Sequence, residues 1–226
     1  MVRQLALIGA AVGLCFSAAT TAVAQEKPVA KGSAPHPGWQ FGPVAGANIF
    51  TFGGSDASGV KSRTTFYAGG ALTIPLGASA FLQPEVLYAG KGAKASVVDT
   101  TVGTIDGEFK MAYLEVPVLL GVNLATSGAR PRIYAGPTVG LNLSCDIAAS
   151  VSGLSLSASC SSVGMSVKSL DFGVTGGVGL SFPVGSGAFS IDGRYTLGLT
   201  KILENSNLKN QGFSVGAGFM LPLGGH

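Results

Sequence analysis

The sequence predicts an all-β chain closed into an eight-stranded antiparallel up-and-down transmembrane β-barrel, and three observations carry that expectation. Seven segments alternate apolar with polar or small residues over about ten positions each, and an eighth, residues 80–91, alternates less cleanly. An export-type leader precedes them all. No segment is long and apolar enough for a transmembrane helix. A chain in hydrocarbon must satisfy every backbone N–H and C=O internally, so only helices and closed barrels can span.

In the leader, Arg3 is a short positive start, residues 5–16 are apolar, and Ala22, Val23 and Ala24 form a small-x-small cleavage site. Cleavage is therefore expected between Ala24 and Gln25, making residues 1–24 a signal peptide. Cys15 follows Leu14, where a lipoprotein motif wants Gly or Ala. Residues 25–37 carry Pro28, Pro35 and Pro37 among Ala, Lys and Gly and read as a disordered periplasmic leader. The barrel domain is expected over residues 38–222.

Strand one spans 39–50, with Trp39, Phe41, Ala45, Ala47 and Ile49 on one face and Gly42, Gly46 and Asn48 on the other. Strand two (64–76) sets Phe66, Ala68, Leu72 and Ile74 on one face. Strand three (80–91) opposes Leu82, Val86 and Tyr88 to Gln83, Glu85 and Lys91. Strand four (108–124) carries an apolar stripe from Leu114 to Leu124, with Tyr113, Glu115 and Asn123 opposite. Strand five (132–144) sets Ile133, Ala135, Val139, Leu141 and Leu143 against Arg132, Thr138, Asn142 and Ser144. Strand six (168–182) sets Leu170, Phe172, Val174, Val178, Leu180 and Phe182 against Asp171, Thr175 and Ser181. Strand seven (188–200) sets Phe189, Ile191, and Tyr195 or its neighbours Leu197 and Leu199, against Ser190, Asp192, Arg194 and Thr196. Strand eight (212–221) sets Phe213, Val215, Ala217, Phe219 and Leu221 against Ser214, Gly216 and Gly218.

The connections alternate in length. Those at 51–63, 92–107, 145–167 and 201–211 are long; the three between them are short. Long loops at one end and tight turns at the other are the outer-membrane pattern, which places both termini on the periplasmic side. Two aromatic girdles are expected: Trp39, Phe41, Phe81, Phe182, Phe189 and Phe219 near the periplasmic end, and Phe50, Phe52, Phe66, Tyr88, Phe109 and Phe213 near the outer end.

Composition agrees. Charged residues make up 11% of the chain against about 25% in ordinary soluble domains, and 35 of the 226 residues are glycine. A lipid-facing exterior and a lumen lined by small side chains suit that balance. Without Arg3 the net charge is +2, and there is no basic cluster with interleaved aromatics, so nucleic acid is not an expected partner. Cys145 and Cys160 remain after cleavage, an even count in an oxidising compartment, and a disulfide is expected to staple the longest loop.

The ordered set Phe81-Leu82-Gln83-Pro84-Glu85-Val86-Leu87-Tyr88, Lys91-Gly92, Tyr113-Leu114-Glu115-Val116-Pro117, Tyr134-Ala135-Gly136-Pro137, Asp171-Phe172-Gly173, and Arg194-Tyr195 with Gly198-Leu199 resembles the outer-membrane β-barrel domain family, also called porin-family or PorT-like. The resemblance covers the chain from about Gly38 onward. It implies an eight-stranded barrel in a Gram-negative outer membrane, and no single shared activity.

Glu85, Glu115, Asp171 and Asp192, with Lys91, Lys110, Arg132 and Arg194, are expected on the inward stripe. Buried charges must be paired, so a luminal network centred on Arg194 is expected, with Glu85 and Glu115 as its leading partners. Eight strands leave an interior just filled by side chains, which argues against a general pore. The only histidines, His36 and His226, lie near the ends, so a Ser-His or His-based metal site is not expected, and no cofactor is. The expected function is a non-enzymatic, structural or surface-binding outer-membrane barrel acting through its loops. A small-solute or ion channel, or a transport-accessory barrel, is the alternative, and a lipid-modifying enzyme comes last. Expected partners are outer-membrane lipid and, during insertion, the barrel-assembly machinery; an extracellular or periplasmic protein partner is left open.

Overall fold

Period-two alternation builds nine strands in the computed structural model, which describes residues 38–99, 103–151, 154–204 and 206–223. The expected signal peptide, its cleavage point at Ala24 and Gln25, and the leader lie outside the described residues. The strands are β1 (Gln40–Gly53), β2 (Val60–Pro75), β3 (Ala80–Asp99), β4 (Gly103–Asn123), β5 (Arg130–Val151), β6 (Leu154–Ser159), β7 (Leu170–Val184), β8 (Gly187–Gly198) and β9 (Lys209–Pro222).

Eight of them close a ring. Each pairs antiparallel with its sequence neighbour, except that β7 follows β5 in the wall, and β9 returns to β1, as in Ala45↔Ala217. β6 stands outside the ring as a return strand on the upper part of β5. The barrel therefore has eight strands with no free edge in its wall, and ladders run on both sides of each strand, interrupted at a bulge at Leu143 and an irregularity between Ser62 and Tyr67.

Outward residues define an apolar belt. At the short-turn end it begins with Trp39, Phe41, Leu82, Leu124, Phe189 and Leu221; at the long-loop end it finishes with Ile49, Phe66, Tyr88, Leu114 and Phe213. The short turns each hold a glycine at positive φ: Gly77, Gly128 and Gly185. No helix among the described residues is long and apolar enough to cross a membrane, which bears only on helices.

Two of the expected long loops are strand. β3 and β4 run past the belt as a continuous ladder from Lys91↔Met111 to Asp99↔Gly103, replacing the connection 92–107. β5 continues to Val151 and β6 pairs back from Asp146↔Ser159 to Val151↔Leu154, replacing most of the connection 145–167. The reason is visible in the residues: Ala95, Val97, Ile105 and Phe109 alternate with Lys94, Ser96, Asp106 and Glu108, so period two persists beyond the belt. The projecting part of β3 is about 11 residues past Tyr88, reaching roughly 25 Å above the belt at ordinary rise and tilt.

Four of the twelve expected girdle aromatics face inward. Phe81, Phe50 and Phe52 are buried in the lumen, and Phe109 packs on Phe52 edge-to-face at 5.8 Å. Their strand parity decides it: Phe81 shares a face with Gln83 and Glu85, and Phe50 with Asn48. The belt keeps Trp39, Phe41, Phe66, Tyr88, Phe189 and Phe213 exposed.

Candidate functional site

The inward stripes bring the predicted charges together in two clusters rather than one. In the first, the Arg194 guanidinium lies 2.7 Å from Glu85 and 2.9 Å from Asp192. Arg132 reaches the other Asp192 oxygen at 3.3 Å and donates to Gln83, which donates onward to Glu85 at 2.7 Å. Tyr134 donates its hydroxyl to Asp192 at 2.7 Å. Its ring and that of Tyr67 lie 5.9 and 5.3 Å from the Arg194 guanidinium carbon. Two guanidinium groups and two carboxylates thus close a balanced, hydrogen-bonded circuit, the condition under which charge tolerates burial.

In the second cluster, nearer the long-loop end, Lys91 is 2.5 Å from Glu115 and 3.4 Å from Asp171. Its ammonium sits between the rings of Tyr113 (4.9 Å) and Phe50 (5.2 Å). Asn210 donates to Asp171 at 2.8 Å and to the Tyr113 hydroxyl at 3.2 Å, and Thr200 donates to Asp171 at 2.9 Å.

This corrects two expectations. Glu115 is the partner of Lys91, and Asp192 takes the place beside Arg194 that was expected of Glu115. Lys110 is not luminal: alternation along β4 puts it on the face of Leu114, and it is partly exposed, 3.6 Å from Glu108. Tyr113 lies on the face of Glu115, as expected; Tyr67, Tyr134 and Asn210 are polar lumen residues that the sequence reading did not single out. Tyr134 follows from the inward parity of Arg132 on β5, and Tyr67 from alternation with the outward Phe66 and Ala68 on β2; Asn210 lies just before the expected start of the last strand.

Between the clusters, hydroxyls of Thr138, Thr175 and Thr196 form a chain at 2.7 and 2.9 Å, and Ser214 donates to Asn48 at 2.6 Å. The space left there is about 10 Å³, bordered by Tyr67, Glu115, Thr175 and Arg194, room for about one water. Small residues make this filling possible. A Cβ at Gly216 would run into the Tyr67 hydroxyl and the Ala45 carbonyl, and one at Gly46 into the same tyrosine ring.

The long-loop mouth is corked. Phe52, Ala93, Met111, Tyr113 and Ile202 are buried together, with Phe109, Cys145, Val167, Leu203 and Leu208 against them. Residues 199–204 and 206–208 fold in over the mouth, donating Ile202 N–H to the Leu208 carbonyl and accepting Lys168 N–H at the Ile202 carbonyl, both at 2.8 Å. Cys145 reaches this layer because β5 is bulged: Ala112↔Ser144 is followed by Tyr113↔Asn142, leaving Leu143 unpaired and turning Cys145 inward. Cys145 is disulfide-bonded to Cys160, with Cα atoms 5.4 Å apart.

Above the cork, the projecting sheet of β3, β4, β5 and β6 is two-faced. Its outer face carries Lys94, Ser96, Asp106, Glu108, Asp146 and Ser150. Arg63 pairs with Glu108 at 2.7 Å. Burial pushes the Glu108 carboxyl up, but the Arg63 hydrogen bond and charge, with Lys110 and Lys94 near, hold it below its ordinary 4.5. On the side of the long-loop connections, Asp56 accepts the Asn207 N–H at 2.8 Å, which lowers its pKa.

The sequence profile described as outer membrane protein β-barrel domain matches residues 23–204. No curated protein sequence matches the chain. Among solved structures, the chain is similar to the attachment invasion locus protein Ail of Yersinia pestis (16% identity, 80% of this chain and 98% of that one, TM-score 0.42). It is also similar to Neisserial surface protein A (14%, 81% and 97%, TM-score 0.47) and to OprG of Pseudomonas aeruginosa (13%, 83% and 98%, TM-score 0.46).

Proposed function

Since the chain belongs to the outer membrane protein β-barrel domain family and is therefore a bacterial outer-membrane protein, we propose that it is a sealed, non-enzymatic platform whose work is done by the sheet it holds above the membrane. The single observation that carries this reading is the contrast between a lumen filled to about one water between its charge clusters and a ladder that continues far past the belt. A conducting path would need a continuous wet route, and here two ion-paired layers and an apolar cork lie across it. The channel reading has no comparable observation in its favour.

The reading assigns the long-loop end to the outside and both termini to the periplasm, supported by the length of chain that runs past the belt at that end, the β3–β4 ladder to Asp99↔Gly103 and the β5–β6 ladder, against tight turns at the other. It takes export through the leader, with cleavage before Gln25, and insertion by the barrel-assembly machinery as the route, and outer-membrane lipid as the neighbour of the apolar belt. A rigid scaffold carrying exposed elements is a common arrangement for binding.

Cysteine labelling on intact cells tests it. With Ser96→Cys on the projecting sheet, a membrane-impermeant maleimide reacts before the cells are broken; with Ser127→Cys at a short turn it reacts only afterwards. The reverse pattern would overturn the reading.

A further inference from the structure

The projecting sheet ends in a free edge. Cys160 N–H donates to the Cys145 carbonyl at 2.9 Å, so Cys145 and Cys160 form a hydrogen-bonded pair, and alternation assigns Ala158, Leu156 and Leu154 to bonds with β5. The N–H and C=O groups of Ser155 and Ser157 therefore point away from β5, and no described residue bonds them. The Ser159 carbonyl, on the same edge, is already taken by the Ser162 hydroxyl at 2.7 Å.

Exposed edges are ordinarily protected by charge, proline or a covering element. This one has no such protection of its own: residues 147–167 contain no charged residue and no proline. The alternation Leu-Ser-Leu-Ser-Ala-Ser leaves Leu154 and Leu156 each 68% exposed. A copy of the same strand fits it. Set antiparallel about Leu156, the Ser155 of each copy faces Ser157 of the other and both pairs exchange backbone bonds. Leu156 then faces Leu156, Leu154 faces Ala158, and the apolar and serine faces of the two sheets stay continuous. With no charge on the edge, self-pairing meets no like-charge penalty.

The symmetry sets where the second copy sits. A two-fold axis that pairs these strands antiparallel and keeps their faces matched runs through the sheet, perpendicular to it. It turns the partner barrel upside down. Two copies in one membrane point the same way and cannot pair like this. We propose that β6 is a homophilic strand-pairing edge that joins this protein to a second copy in an opposing outer membrane. The inference rests on the outward placement of the projecting sheet given above. One pairing supplies about four backbone hydrogen bonds and few leucine contacts, well short of the roughly 1,200 Å² of a stable soluble dimer. Many copies on facing membranes act together by avidity.

The test uses the full barrel in two populations of phospholipid vesicles, carrying different tags on the protein. In a non-hydrogen-bonded antiparallel pair the Cα atoms are about 4.5 Å apart, within disulfide reach. Leu156→Cys, with Cys145 and Cys160 left in place, yields dimers bearing both tags under mild oxidation, assigned by peptide mass. Ser157→Cys, opposite Ser155 rather than itself, does not. Wild-type vesicles cluster on mixing, and Leu156→Lys, which sets two like charges face to face, abolishes clustering. Labelling of Leu156→Cys by an impermeant maleimide on intact cells separates the two readings. A residue that labels on cells but forms no link between vesicles overturns the pairing alone; a residue that does not label on cells overturns the outward placement and the pairing with it.

Discussion

Arg194 and Glu85 stand 109 positions apart in the chain and meet at 2.7 Å inside the barrel, both buried. The contact exists only when β3 and β8 face one another across a closed wall, so it reports closure as well as local pairing. Removing one partner of such a pair leaves the other charged and buried, at a cost of about 3–5 kcal/mol. Arg194→Ala is expected to lower the melting temperature in detergent sharply. Arg194→Ala with Glu85→Gln is expected to recover part of the loss, because the orphaned carboxylate is gone. Equal melting temperatures for wild type and Arg194→Ala would count against the circuit.

Tyr67 is held in a slot made by two glycines. Gly216→Val is expected to destabilise the barrel by about 1–3 kcal/mol, the usual cost of overpacking. Adding Tyr67→Ala should not restore it fully, because the Ala45 carbonyl also stands where the new Cβ must go. Urea titration of the heat-modifiable gel band reads both variants.

Glu108 gives the projecting sheet a pH dependence. Its carboxyl is held below the ordinary 4.5 in the folded state, so the Arg63 contact contributes fully above that value. The contribution is lost as pH falls from 4.5 through the lower folded value. Hydrogen-exchange protection in β3 and β4 above the belt, taken relative to the free-peptide rate at each pH, should therefore fall in acid, while the wall below stays protected. Glu108→Gln is expected to remove that acid step and leave slower exchange at neither pH.

Lys91 holds two carboxylates at once. Lys91→Met leaves Glu115 and Asp171 without their cation and is expected to destabilise more than Lys91→Met with Glu115→Gln. Thermal melts of the two variants in one detergent decide the order.

The disulfide closes 15 residues, worth roughly 3 kcal/mol in the chain-entropy picture. Reduction is expected to speed chymotrypsin cleavage at Leu154 and Leu156 while the boiled and unboiled forms still migrate differently. Loss of the gel shift on reduction would mean that the staple supports the wall itself.

The wall was legible because lipid outside and packed lumen inside impose strict alternation on every strand: Phe189 to Leu197 on β8 and Phe213 to Leu221 on β9 read directly. The inward charges were legible for the same reason, but their partners were not. Glu115 and Glu85 share a parity, and only the stagger of the strands brings Lys91 to one and Arg194 to the other. The projecting sheet was hidden because Lys94, Glu108 and Asp146 on its outer face look like loop composition when alternation with Ala93, Phe109 and Ile147 is not followed past the belt. The bulge at Leu143 has no sequence signal of its own; it is fixed by packing Cys145 into the cork.

Electrical recording from the purified barrel in a planar bilayer bears most directly on the sealed platform. No stable conductance above the bare membrane is expected with the ion pairs intact. A large, steady, reproducible conductance from the wild-type protein at neutral pH would contradict it.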